Sequence, residues 1–232
     1  MFPYADIPED YWTGYFTSKA NFKKYVRDGQ ANLHASSKLY AAKVLDQTLS
    51  NGHLASILGA TYTLLDGMGV AQHHDAITGT STQHVTDDYS QILYSAIDKN
   101  NIIYEEMLND HTFKLADIKA EKWYQCYKTN STWLDCPLAN YNSGNVTFLV
   151  NIHNPTLDFI QYQKIKVPHD KYRAFSWDDA NKKWENVRTA IFCLPVTLEN
   201  KAVINDCEMH IENIIYPNHF SVLMVQYDPT RI

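Results

Sequence analysis

The chain lacks several things that would decide its class. It has no run of eighteen apolar residues, so no membrane-spanning helix is expected. Its lysines and arginines are scattered, and the net charge is −6, so no basic face for nucleic acid is present. The N-terminus has no basic region followed by a long apolar run, so no signal peptide is read there. A glycine-rich phosphate loop, a Gly-x-Ser-x-Gly elbow and internal repeats are all absent. Cysteine is missing from the first half altogether. What remains is a globular composition, 45% hydrophobic and 20% charged over 232 residues, enough for one large domain or two small ones.

The four cysteines, Cys126, Cys136, Cys193 and Cys207, form two close pairs in the second half. Three pairings are possible. Cys126–Cys136 and Cys193–Cys207 are favoured because each closes a short loop. A zinc site built from the four thiolates is the rival, without Cys-x-x-Cys spacing to support it. Sequons at Asn130 and Asn145 lie near the first pair. Paired cysteines and sequons together point to an oxidising, secretory-type compartment.

Along the chain, residues 1–16 are rich in aromatics, among them Phe2, Tyr4, Tyr11, Trp12, Tyr15 and Phe16. They are read as a packed lead-in segment, although exposed aromatics also stack on pyranose faces. Ser18 is the expected cap of a long helix with the stripe Phe22, Val26, Leu33, Tyr40 and Val44, ending near Ser50-Asn51-Gly52. Leu54, Ile57, Leu58, Leu65 and Met68 mark a second helix, its last turns weakened by Gly67 and Gly69. Thr80 or Ser81 can cap a third, striped by Val85, Tyr89, Ile92, Ala96, Ile103 and Met107. Three helices with short connections predict a three-helix bundle over 1–110. Beyond it, short strand-like runs alternate with turns such as Asn154-Pro155 and Tyr216-Pro217-Asn218. The fold class is therefore α+β: a helix bundle followed by an antiparallel, sandwich-like β domain over 111–232.

The second helix arrives at Gln72-His73-His74-Asp75-Ala76-Ile77-Thr78-Gly79-Thr80. Imidazole and carboxylate are the usual nitrogen and oxygen donors to zinc. The same residues also suit a plain helix end, with His on the dipole and Asp capping the next helix. His53, His74 and Asp75 could be parts of a helical metal phosphohydrolase of the HD type, but a β-rich second half argues against it. His153, His169, His210 and His219 have no partners at ligand spacing.

Three blocks in order resemble one family: Phe2-Pro3-Tyr4-Ala5-Asp6, then Tyr11-Trp12-Thr13-Gly14-Tyr15-Phe16-Thr17-Ser18, then Gln72 to Thr80. They are similar to the class II, lysosomal-type α-mannosidases of glycoside hydrolase family 38. The resemblance is strong over about 1–110; Cys126…Cys136-Pro137 and Asn154-Pro155 look like the first β domain that follows the bundle in this family. It implies retaining hydrolysis of terminal α-linked mannose by two carboxylates, with a bound zinc ion. His74 matches a zinc ligand and Asp75 a residue that binds mannose hydroxyls; His73 takes no role from the resemblance and is read as packing or as support behind the ligands. The resemblance places the nucleophile, the acid/base and the other zinc ligands in an α/β domain preceding the Phe2 block, with further β domains following. The 232 residues are thus expected to be an internal piece, inactive alone, whose partners are those domains and a mannose-containing oligosaccharide, in a lysosome or the secretory or extracellular space. Lys19-Ala20 departs from the family's usual Arg-Pro. A non-catalytic remnant or carbohydrate-binding module is the alternative.

Overall fold

Helix caps and small residues decide where the first half of the chain turns. The structure, a computed structural model, describes residues 4–10, 14–45, 49–116, 123, 127–128, 134–135, 146–197, 201 and 203–231. The chain divides into two units, Met1–Met107 and Leu108–Ile232. The first holds a short α1 (Gly14–Thr17), then α2 (Ala20–Leu45), α3 (Asn51–Ala71) and α4, which starts at Gln83 and runs to Ala116. The α+β class, bundle then antiparallel sheets, is as the sequence predicts.

Ser50 caps α3, its hydroxyl oxygen accepting from the His53 amide at 3.2 Å. Ser18 does not cap α2. Lys19 precedes the helix, its carbonyl accepting from Lys23, while the Ser18 hydroxyl donates to the Gly79 carbonyl at 2.9 Å. Thr82 takes the corresponding place before α4, accepting from the Thr86 amide. The core joins Phe22 and Val26 of α2, Leu64, Met68 and Ala71 of α3, and Leu93, Ala96 and Ile97 of α4. Several expected core positions fall outside it: Val44, Leu54, Leu58 and Leu65 are exposed. On α3 the buried face is instead Ile57, Ala60, Leu64, Gly67 and Met68. Small residues make this seam because they let backbones approach. A Cβ at Gly67 would sit 2.7 Å from that of Ala96. α3 is long and apolar enough to cross a membrane by length and composition, yet Leu64 is wholly buried in the bundle. A polar seam also runs between α2 and α4. Tyr40 donates to buried Asn100, Asn100 to Asn32 at 2.8 Å, and Asn32 to Asn101 at 2.7 Å. Burial raises the Tyr40 hydroxyl's pKa, which keeps it a donor.

The link from α3 to α4 is pinned at several points. Ala76 and Ile77 turn into the bundle core. Gly79 has φ +76°, and a Cβ there would lie 2.7 Å from the Ser18 carbonyl oxygen. Lys23 donates to the Ser18 and Thr78 carbonyls at 2.6 and 2.9 Å. Lys19 donates to the Ser81 carbonyl and to the Thr86 hydroxyl. Burial, and then the Lys19 charge, pull the Lys23 amine below the usual lysine range.

The second unit pairs β1 (Tyr127–Lys128) with β2 (Leu134–Asp135) and holds two larger antiparallel sheets. One has β3 (Phe148–His153), β5 (Tyr172–Asp178), β6 (Lys183–Asn186) and β9 (Phe220–Tyr227), in the order β3-β9-β5-β6. The other orders β4 (Ile160–Val167), β8 (Val203–Ile215) and β7 (Arg188–Thr197) as β4-β8-β7. Their inner faces meet in one core: Val167, Cys207, Met209 and Ile211 from one sheet, Tyr172, Ala174, Leu223 and Val225 from the other. Cys193 and Cys207 are opposed in register on β7 and β8 and form a disulfide. Cys126 and Cys136 lie outside the described residues. Asn154 is fully buried and ties the turn after β3, donating to the Asp158 and Ile215 carbonyls at 2.7 and 2.9 Å.

Two substitutions test the first unit. Gly67→Leu forces α3 away from Ala96 and should destabilise by about 1–3 kcal/mol, read from the denaturation midpoint by circular dichroism. An unchanged midpoint would mean the two helices are not in close approach. Gly79→Ala puts a side chain both in the left-handed region and against Ser18, and should lose at least about 1–2 kcal/mol in the same assay.

Candidate functional site

His73, His74 and Asp75 follow directly on the last turn of α3, where Gln72 closes the helix by donating to the Met68 and Gly69 carbonyls. The next turns are tight: the Ala76 and Ile77 amides both reach the His73 carbonyl, at 2.9 and 3.3 Å. This winding leaves both imidazoles and the carboxylate on the solvent side while Ala76 and Thr78 face inward. The His74 side chain is 83% exposed, against 44% for His73 and 48% for Asp75.

Asp75 is the best-held of the three. Its Oδ1 accepts from the Thr80 hydroxyl at 2.7 Å. The Thr80 hydroxyl oxygen lies 2.9 Å from that of Thr78, whose own proton goes to the His74 carbonyl. The Asp75 carbonyl accepts from the Ser81 amide at 3.1 Å. The other oxygen, Oδ2, faces both rings: His73 Nε2 lies at 3.5 Å and His74 Nε2 at 3.4 Å. The Thr80 hydrogen bond, and beyond it the two imidazoles, hold the Asp75 carboxyl below the usual range, so it is ionised near neutral pH. The rings of His73 and His74 lie 4.3 Å apart between centroids, and Tyr89 of α4 stands behind His73 at 6.2 Å.

One donor atom from each of the three residues lies within 4.8 Å of the others. Two imidazole nitrogens and a carboxylate oxygen suit zinc, so the donors fit the metal that the resemblance implies. His73, read from the sequence as packing or support, lies against Asp75 and Tyr89. Thr80, Lys19 and Lys23 were missed as supports. Among them only the Thr-x-Thr spacing after Asp75 is a local signal. His53 does not join the group. It sits in the first turn of α3, about 30 Å of helix away from His74 by rise per residue, and pairs with Glu106 at 3.3 Å. That removes the HD phosphohydrolase reading. Of the early aromatics, Tyr4, Tyr15 and Phe16 are exposed rather than packed, the last two in edge contact at 5.2 Å. In the β unit, His153 stacks on Phe220, and His210 Nε2 meets Glu208 at 2.7 Å. Asn130 and Asn145 lie outside the described residues.

Comparisons with known proteins fall on this part of the chain. Residues 10–110 match the alpha mannosidase middle domain. A lysosomal alpha-mannosidase of Felis catus is 33% identical over 172 residues, 74% of this chain and 16% of that protein. A probable alpha-mannosidase of Arabidopsis thaliana is 34% identical over 156 residues, 66% of this chain and 14% of that protein. The lysosomal alpha-mannosidase of Homo sapiens is 42% identical over 93 residues, 40% of this chain and 9% of that protein. The chain thus spans a small part of the curated relatives it matches. A solved structure of a glycosyl hydrolase family 38 protein from Enterococcus faecalis superposes with a TM-score of 0.50. That match covers 94% of this chain and 26% of the other; at 11% identity it speaks for the fold alone. Through the matched middle domain and these relatives, the chain belongs to the α-mannosidase family, of whose proteins it spans a part.

Proposed function

We propose that the chain serves as the middle part of a retaining, zinc-dependent α-mannosidase that removes terminal α-linked mannose from N-linked oligosaccharides. One observation carries this reading: the pinned α3–α4 loop presents His74 and Asp75 side by side to solvent, with the carboxylate already oriented by Thr80. In this role the exposed His74 supplies one zinc ligand, and Asp75 accepts hydrogen bonds from hydroxyls of the bound mannose. Zinc, when bound, grips neighbouring sugar hydroxyls and favours distortion toward an oxocarbenium-like transition state. This chain's residues position the sugar. The nucleophile, the acid/base and further ligands come, on the family resemblance, from segments outside these 232 residues. A lysosomal setting is supported by the relatives in Felis catus and Homo sapiens, both named lysosomal. Exposed Tyr4, Tyr15 and Phe16 favour a second reading, a carbohydrate-binding module without catalysis.

The test uses the full-length enzyme and a chromogenic α-mannoside. His74→Ala should lose bound zinc and lower kcat/KM by about a hundredfold or more. Unchanged zinc content would remove His74 from the ligand set. The 232-residue chain, purified with zinc, should release no chromophore; metal-dependent turnover by it would overturn the division of labour. If the full-length protein is inactive too, the binding-module reading stands instead.

A further inference from the structure

An antiparallel sheet that covers a core on one face commonly keeps polar residues on the other. On β5 the pattern differs. Tyr172 and Ala174 pack into the core of the second unit, and the alternate residues Arg173, Phe175 and Trp177 take the opposite face. β6 adds Trp184, directly opposed to Trp177, with ring centroids 5.3 Å apart. β9 sets Gln226 opposite Arg173 and Met224 opposite Phe175. Phe175, Trp177 and Trp184 are half-buried and Gln226 is exposed, so all four offer surface to solvent. At the Arg173 end of this row lies a cleft of about 230 Å³, lined by Arg173, Phe175, Gln226, Tyr227 and Asp228. It is smaller than the about 300–1,000 Å³ of pockets for drug-sized ligands, and suits a single sugar ring.

The polar wall of the cleft is held by its own contacts. Asp228 Oδ1 accepts from the Thr230 amide at 2.9 Å and from the Thr230 hydroxyl at 2.6 Å, and Oδ2 pairs with Arg173 Nε. The pair uses only Nε of the guanidinium. Among the described residues, Arg173 Nη1 and Nη2 have no hydrogen-bond partner. A planar fork held this way suits two neighbouring oxygen acceptors. Gln226 adds an amide that both donates and accepts. The Thr230 hydrogen bonds, and beyond them the Arg173 charge, hold the Asp228 carboxyl below the usual range, so it is ionised and offsets the guanidinium. Arg231, the next cation, spends its donors on Tyr172 and Thr189. A wall with its charges paired favours an uncharged ligand rich in hydroxyls over an anion. Phe175 supplies the apolar surface that the C–H face of a pyranose needs. Trp177 follows two residues along the strand, about 7 Å at the usual rise, where a second linked sugar would lie.

The geometry points to a binding site for a neutral pyranose on this face of β5, with Arg173 and Gln226 bonding its hydroxyls, Phe175 against its ring and Trp177 against the sugar linked to it. The site uses no residue of the α3–α4 loop and does not rest on the function proposed above.

The experiment is saturation-transfer NMR on the 232-residue chain with four neutral disaccharides, mannobiose, cellobiose, lactose and diacetylchitobiose, and with glucuronic acid as the charged probe. The expected result is transfer to the ring C–H protons of at least one neutral disaccharide. Titration should then show binding about tenfold weaker in Phe175→Ala and about threefold weaker in Gln226→Ala. Circular dichroism confirms that Phe175→Ala stays folded, and Gln226 is exposed, so its variant keeps the packing of the sheet. Absence of transfer to all four neutral sugars would overturn the proposal. So would affinities in both variants equal to wild type, which would put the sugar elsewhere on the chain. Glucuronic acid bound in preference to the neutral sugars, and displaced by sulfate, would make the cleft an anion site and overturn it as well. None of these outcomes bears on zinc content or turnover in the full-length enzyme, where the proposed function is tested.

Discussion

A backbone-to-backbone approach holds the functional loop in place. Gly79 comes so near Ser18 that any side chain there would press on its carbonyl, and the Ser18 hydroxyl seals the contact by donating to the Gly79 carbonyl. Such an approach crowds carbonyl groups that all need donors. Those of Ser18, Thr78 and Ser81 would otherwise compete for water at the end of the bundle. Two lysines answer that need. Lys23 spans Ser18 and Thr78, and Lys19 reaches Ser81 and Thr82. An ammonium has three donors and no acceptor, so one side chain can satisfy several carbonyls at once. The departure from the family's Arg-Pro at Lys19-Ala20 thus leaves a donor in place, and Lys19 also reaches the Thr86 hydroxyl in the first turn of α4.

The strands were legible in the sequence to a degree that the helix faces were not. The short runs between turn residues expected beyond the bundle are strands of the two sheets, Ile160–Val167 and Phe220–Tyr227 among them. Such runs stand out because they are short, rich in β-branched and aromatic residues, and cut by turn residues. In α3 the apolar residues are abundant, so hydrophobicity alone does not pick the buried stripe. The seam is chosen by Ala60, Gly67 and Ala71, whose small size lets the helix axes approach, and Leu54, Leu58 and Leu65 are left outside. Asn32 and Asn100 were invisible for the opposite reason. Polar residues on a helix read as solvated, and only their mutual satisfaction with Tyr40 and Asn101 makes burial tolerable.

The candidate site divides the same way. That His73, His74 and Asp75 are neighbours is plain in the sequence, and a helix end was a sound guess for where they sit. What the sequence could not say is which atoms face each other. That is set by the turn in which the Ala76 and Ile77 amides converge on the His73 carbonyl, and by Thr80 taking one oxygen of Asp75. Ser18 shows the limit of local rules most clearly. It has the chemistry of a cap and the position of one, and its hydroxyl instead serves a carbonyl 61 residues away.

This mixture of local and distant contacts has a consequence for the site. The three donor groups are contiguous, so their proximity needs no long-range folding; any tight turn after α3 would bring them together. Their orientation does need it. Ala76 and Ile77 must be in the core, and Gly79 must be against Ser18, before Thr78 and Thr80 are where they can steer the carboxylate. A turn without those anchors would keep the donors close and let Asp75 turn either oxygen, or neither, toward the rings. The bundle therefore contributes little to the concentration of donors and most of their preorganisation, which is the part that separates a site with a preferred geometry from a stretch of sequence that merely contains histidine.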